Sequence, residues 1–207
     1  MTRTASPPPA ATETLFHGTN RLFGRFDMGH ALEGDGKVKF GWGVYVTDRA
    51  DSALKYARKS QERHPGSGCF VYKVEVPALS PGNHIAFGEP VAPAIAARVE
   101  SELGAAIPAM ALADGKLFRK FVACRIEGSK KKEPTLAGEK AAAELLDRLG
   151  VVCVSWPFNW KKDAEGRFLP PFNRAVFDAA KVRVVSVGRY DEAGNVIETI
   201  PADRLPR

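Results

Sequence analysis

An α+β fold with mostly antiparallel pairing is what this sequence predicts, and three observations carry the prediction. Strand-like runs outnumber helical ones, they lack the regular strand–helix alternation of a doubly wound parallel sheet, and the last of them form a hairpin. The chain has 207 residues, 44% hydrophobic and 26% charged, enough to bury one sizeable core. We expect a single domain over residues 14–207, closed by the C-terminal hairpin. Ahead of it, residues 1–13 are rich in Pro, Ala and Thr without hydrophobic period and read as a disordered leader.

In chain order, Leu15-Phe16 opens as a short strand and stops at the polar punctuation His17-Gly18-Thr19-Asn20. Residues 29–41 hold four glycines among charges and read as a flexible loop. Gly43–Thr47 is β-rich, and Asp48 stands where an N-cap would, ahead of the helical run 49–60. Cys69–Val76 alternates until Pro77 and is the clearest strand. Residues 91–104 and 136–149 have helical spacing, the second ending at Gly150. Val151–Trp156 reads as a buried strand, 157–171 as a wet loop, and Arg174–Phe177 and Val182–Val187 as strands. A turn through Asp191–Asn195 leads to Val196–Ile200. The stretch between the two helical runs carries no assignment.

Net charge is +6, and its distribution says more than its total. Residues 110–190 hold 16 Lys and Arg against 9 Asp and Glu, including Lys130, Lys131, Lys132, Lys161 and Lys162. Such an excess concentrates polyanions, so nucleic acid or an anionic cofactor is a reasonable partner; a solvated lysine-rich loop is the plainer reading. The three cysteines, Cys69, Cys124 and Cys153, are widely spaced with no CxxC, which points to neither disulfides nor zinc and fits a reducing cytoplasm. No apolar run approaches the roughly 20 residues of a membrane span, and the N-terminus lacks a secretory signal's apolar stretch.

Three constellations carry candidate chemistry. His17 ends a strand beside Gly18, which permits close backbone approach. In Gly41-Trp42-Gly43-Val44-Tyr45, two glycines clear space around rings that offer flat faces to an aromatic ligand. Ser52-Ala53-Leu54-Lys55-Tyr56-Ala57 follows on a helix, and a helix folded back on its strand sets Tyr56 opposite Tyr45 as a clamp. Taken singly, each has a plain packing explanation. Glu75, Asp48, Asp178 and Glu139 read as surface, turn or capping carboxylates, and His30, His64 and His84 show no metal-ligand spacing.

In this order, the three constellations resemble the ADP-ribosyltransferases of the diphtheria-toxin and poly(ADP-ribose) polymerase type. The likeness spans about residues 14–190, is nearest to transferase-like domains of bacterial and phage toxin or polyvalent proteins, and extends to Asn173–Asp178 as the late strand. It implies a split, mostly antiparallel sheet with flanking helices, and NAD as co-substrate without a metal. By resemblance, Gly18 binds the nicotinamide amide, His17 the adenosine ribose, and Tyr45 and Tyr56 sandwich the nicotinamide ring. The implied NAD-binding set is His17, Gly18, Thr19, Trp42, Gly43, Tyr45, Ala53 and Tyr56. The catalytic set is His17, Tyr45 and Asn173, and the 29–40 loop covers the site.

Asn173 stands where that family usually carries a glutamate. Asn holds a hydroxyl but supplies no negative charge and accepts no proton. The expectation is therefore mono-transfer or weak hydrolysis, with Glu139 as a distant substitute. The resemblance implies a cytoplasmic toxin or effector, acting in its own or a target cell. Its acceptor is macromolecular, nucleic acid slightly ahead of protein, and an antitoxin or immunity protein is a candidate partner. An inactive NAD, ADP-ribose or nucleic-acid binding module is the alternative, and an RNA-repair 2′-phosphotransferase ranks below both because the early chain has few arginines.

Overall fold

Alternating hydrophobicity becomes one eight-stranded sheet, of order β4-β5-β6-β2-β1-β3-β7-β8, in a computed structural model that describes residues 11–30, 39–129 and 133–206. The strands are β1 (Thr12–Thr19), β2 (Val44–Thr47), β3 (Phe70–Pro77), β4 (His84–Ala86), β5 (Cys153–Pro157), β6 (Phe172–Val176), β7 (Arg183–Tyr190) and β8 (Val196–Pro201). The helices are α1 (Ala50–Arg63), α2 (Pro93–Leu103), α3 (Ala109–Leu112), α4 (Gly115–Ile126) and α5 (Leu136–Arg148). All neighbours pair antiparallel except β4 and β5, so the chain is α+β. Most of the leader, most of the 29–41 loop and Lys130–Lys132 lie outside the described residues.

The pleat sorts the core into two layers. Val154, Trp156 and Ala175 pack with α2, α4 and α5, whereas Cys153 and Val176 point the other way, to Leu15, Tyr72, Val74 and Val187. On β1, Leu15 and His17 share the second face with Tyr72, and Gly18 faces α1. β1 pairs with β3 at all eight of its positions, from Thr12↔Pro77 to Thr19↔Phe70. Its pairing with β2 is a single register pair, Phe16↔Thr47. The sheet is continuous by hydrogen bonding, but this seam nearly divides it.

Several local expectations change. The first strand begins at Thr12, inside the span read as leader, because Thr12 and Thr14 favour extended backbone and Glu13 is anchored. Its carboxylate accepts from Leu79 N at 3.1 Å and from the Arg174 fork at 2.5 and 2.9 Å. His17-Gly18-Thr19 is strand rather than turn, since β3 continues opposite it. Asp48 does not cap α1; its Oδ2 accepts from Phe172 N at 3.0 Å, and Arg49 occupies the N-cap without a side-chain bond. Glu139 is neither a cap nor a surface residue. It is buried against Arg119 of α4, while Thr135 caps α5 by accepting from Gly138 N.

Candidate functional site

Where β1 and β2 diverge, the strand edge needs another partner, and His17 provides it. His17 Nδ1 lies 2.7 Å from the Tyr45 carbonyl. A carbonyl only accepts, so Nδ1 carries the proton and Nε2 is left as an acceptor. Phe26 meets the imidazole edge-on at 5.0 Å and Tyr72 at 6.1 Å. Loss of solvent among these rings holds His17 below the ordinary 6.5, partly offset by the bond to Tyr45.

That shift has a sign. The folded state binds the His17 proton more weakly than the unfolded chain, so His17 favours folding above about pH 6.5. The contribution is lost as pH falls from there through the folded value. We expect urea-unfolding stability to drop between pH 7.5 and 5.5 by more in the wild type than in H17Q. Equal pH dependence in the two proteins refutes the assignment. The raised Glu139 carboxyl, shifted up chiefly by burial, acts in the opposite sense in both proteins and cancels in the difference.

The seam opens into a cavity of about 940 Å³ that His17, Gly18, Thr19, Gly43, Tyr45, Tyr56 and Asn173 all line. Tyr45 and Asn173 project to the face shared with Ala175 and Trp156, which α1 also covers at β1. Tyr56 is 45% exposed, and its hydroxyl meets the Asn173 amide, which holds back the rise in its pKa that burial causes. Asn173 is buried and fixed on both sides. Before it, Phe172 O accepts from Asp48 N and Thr47 Oγ1, each at 3.1 Å. After it, Arg174 is forked by Glu13.

Two members of the expected NAD-binding set lie outside the cavity lining. Trp42 packs toward the α4–α5 layer with Lys140 Nζ 5.9 Å from its ring centroid. Ala53 is fully buried beneath Gly18, where a Cβ on Gly18 would stand 1.8 Å from Ala53 O. Gly18 therefore admits the helix, a packing role in addition to its place on the cavity wall. Gly43 is likewise obligatory, since a Cβ there would meet Val176 O at 2.6 Å.

Tyr45 does more than present a ring. Its hydroxyl donates to Gly41 O at 2.9 Å and accepts from Phe40 N at 3.2 Å, and burial pushes its pKa up to about 12. This pins Phe40 flat on Trp156, with centroids 4.5 Å apart and planes 5° from parallel. Phe40, Trp156, Phe23 and Phe26 all line the cavity. None was a candidate from sequence, because a lone aromatic in an irregular segment looks like any other.

The charge at the mouth was also missed. Arg21, Arg25, Lys39, Lys59 and Arg63 line the cavity, and Asp27 is the sole carboxylate among the described lining residues. Meanwhile several of the 16 Lys and Arg of 110–190 are held in ion pairs, as in Arg119–Glu139, Lys120–Glu133, Arg174–Glu13 and Lys181–Asp147. Among the described residues no group of three metal-ligating side chains forms, and no helix is long and apolar enough to cross a membrane. The chain matches no protein-family model, and comparisons with curated proteins and with solved structures give no match either.

Proposed function

We propose that this chain is an NAD-dependent mono-ADP-ribosyltransferase, a toxin or effector that modifies a macromolecule. One observation carries the reading: His17, Tyr45, Tyr56 and Asn173, scattered over 157 positions of sequence and four different elements, converge on one cavity at the sheet seam. The near-division of the sheet fits the split sheet that the resemblance implies.

The residues present suit such a ligand. Cations at the mouth attract its pyrophosphate. Nε2 of the neutral His17 accepts from a ribose hydroxyl, and the ring faces of Tyr56 and Tyr45 attract a pyridinium cation. NAD supplies the ADP-ribosyl group. The C1′–N bond breaks with its electron pair going to nicotinamide, and the acceptor nucleophile bonds C1′ and gives up its proton. Asn173 holds a hydroxyl at the reacting ribose without adding charge, so the acceptor or water must lose its proton to another base. Glu139 is not that base, being buried against Arg119 and outside the cavity lining.

Asn173 in place of an acid, with Asp27, which accepts from Gly29 N at 2.7 Å, as the one carboxylate among the described lining residues, favours a second reading, an inactive module that binds NAD or ADP-ribose. Incubation with adenylate-labelled NAD and, separately, cell protein, RNA and DNA divides the two. We expect label on one class, lost in Y56A and N173A. Y56A is the cleaner variant, because Tyr56 is half exposed whereas Tyr45 also holds its own loop. NAD binding with neither label transfer nor nicotinamide release would establish the binding module.

A further inference from the structure

We propose that the acceptor is a single-stranded nucleic acid whose unstacked bases dock on the connection between β5 and β6. The binding surface is argued from its own residues; its coupling to ADP-ribosyl transfer rests on the function proposed above.

The connection is a built hairpin. Leu169 N donates to Lys161 O at 2.8 Å, Asp163 N donates to Arg167 O at 2.9 Å, and Lys162 bridges to Phe168. It presents Trp160, 45% exposed and the one non-glycine with positive φ (54°) among the described residues. The Trp160 ring meets Phe168 edge-on at 5.6 Å, and Lys162 Nζ stands 4.4 Å from the Phe168 centroid. Nearer the cavity the pattern repeats: Phe158 meets Tyr56 edge-on at 6.0 Å, with Lys55 Nζ 5.9 Å from the Phe158 centroid. The connection thus carries two ring–ammonium pairs, one at the hairpin and one at Phe158, and the second abuts Tyr56, which meets Asn173 at the cavity. Beneath the hairpin, Gly88 leaves room: a Cβ there would stand 2.7 Å from Phe168.

Rings alternating with ammonium groups match one chemistry well. Every base offers a π-face and every linkage a phosphate, so a single strand satisfies both at once. A duplex keeps its bases stacked inside, where exposed rings do not reach their faces. The cavity mouth extends the same positive field, which suits a strand whose one nucleotide reaches Asn173.

The test is fluorescence anisotropy of the full chain with fluorescein-labelled mixed-sequence 12-mers as single-stranded RNA, single-stranded DNA and DNA duplex. We expect both or one of the single strands to bind well above the duplex, and the RNA and DNA arms to say which. W160A should weaken binding about tenfold, the loss of one base stack, and W160Y should recover most of it. K161A/K162A should reduce the log–log salt slope by about 1.4, two phosphate contacts. Equal binding of duplex and single strand, or an unchanged Kd in W160A with its circular dichroism intact, overturns the proposal, as does label appearing on protein alone. NAD turnover is measured apart. Ring-dependent strand binding without turnover keeps this surface and refutes the transferase reading; turnover without strand binding does the reverse.

Discussion

Glu139→Ala is expected to lower unfolding free energy by about 3–5 kcal/mol, because it strands a buried guanidinium. The side chains of Arg119 and Glu139 are only 3% and 7% exposed. Around them, Arg119 lies 5.7 Å from the Phe87 ring centroid, and its Cδ would be 3.1 Å from a Cβ on Gly41. Removing the acid leaves a charge with no solvent and no room to reach any. The pair itself adds little, since both partners lose hydration to form it. R119M/E139L should therefore recover to within about 1.5 kcal/mol of the wild type, as apolar side chains of similar volume do. Urea denaturation of the three proteins decides it. A loss under 1 kcal/mol in E139A would mean that water reaches the pair, and the account fails.

Gly18→Ala should have the next largest effect, about 3 kcal/mol of destabilisation together with, on the function proposed above, loss of NAD affinity. Overpacking costs about 1–3 kcal/mol where neighbours can yield, but here the neighbours are backbone: Ala53 O at 1.8 Å and Ala57 N at 2.9 Å from the added Cβ. Relief requires α1 to lift from β1, and α1 carries Tyr56, Lys59 and Arg63 into the cavity. One methyl group thus disturbs core and site together. Gly82→Ala is the control, since nothing lies within 4 Å of its Cβ. Thermal melting would show G82A near wild type and G18A well below it, and similar melting of the two refutes the packing argument; calorimetric titration with NAD reads the effect on the proposed site.

What the sequence made legible followed from strong local signals. The alternation of Cys69–Val76 became β3, the Ala- and Leu-rich runs became α2 and α5, and the Asp191–Asn195 turn joined β7 to β8. The missed α4 also had signals: Asp114 caps it by accepting from Lys116 N at 2.7 Å, and Phe118, Val122 and Ala123 recur at helical spacing. A basic residue at a core position, Arg119, broke the apolar stripe, and its partner lies 20 residues away. The candidate residues named from sequence that also line the cavity are mostly those in short motifs. Phe40, Trp156 and the mouth cations were not identifiable, because their roles depend on the Tyr45 hydroxyl, the stacking of two distant segments and the divergence of β1 from β2.

That divergence has a mechanical consequence. With one register pair joining β1 to β2, the sheet contains a weak line running through the cavity. A ligand that touches His17 on one side and Tyr45 and Asn173 on the other acts as a splint across that line. Its effect should reach beyond its own contacts. At a hundred times Kd it adds about 2.7 kcal/mol to global stability, and it should slow amide exchange in β1 and β2 more than in β3 and β7, which pair over most of their length on both sides.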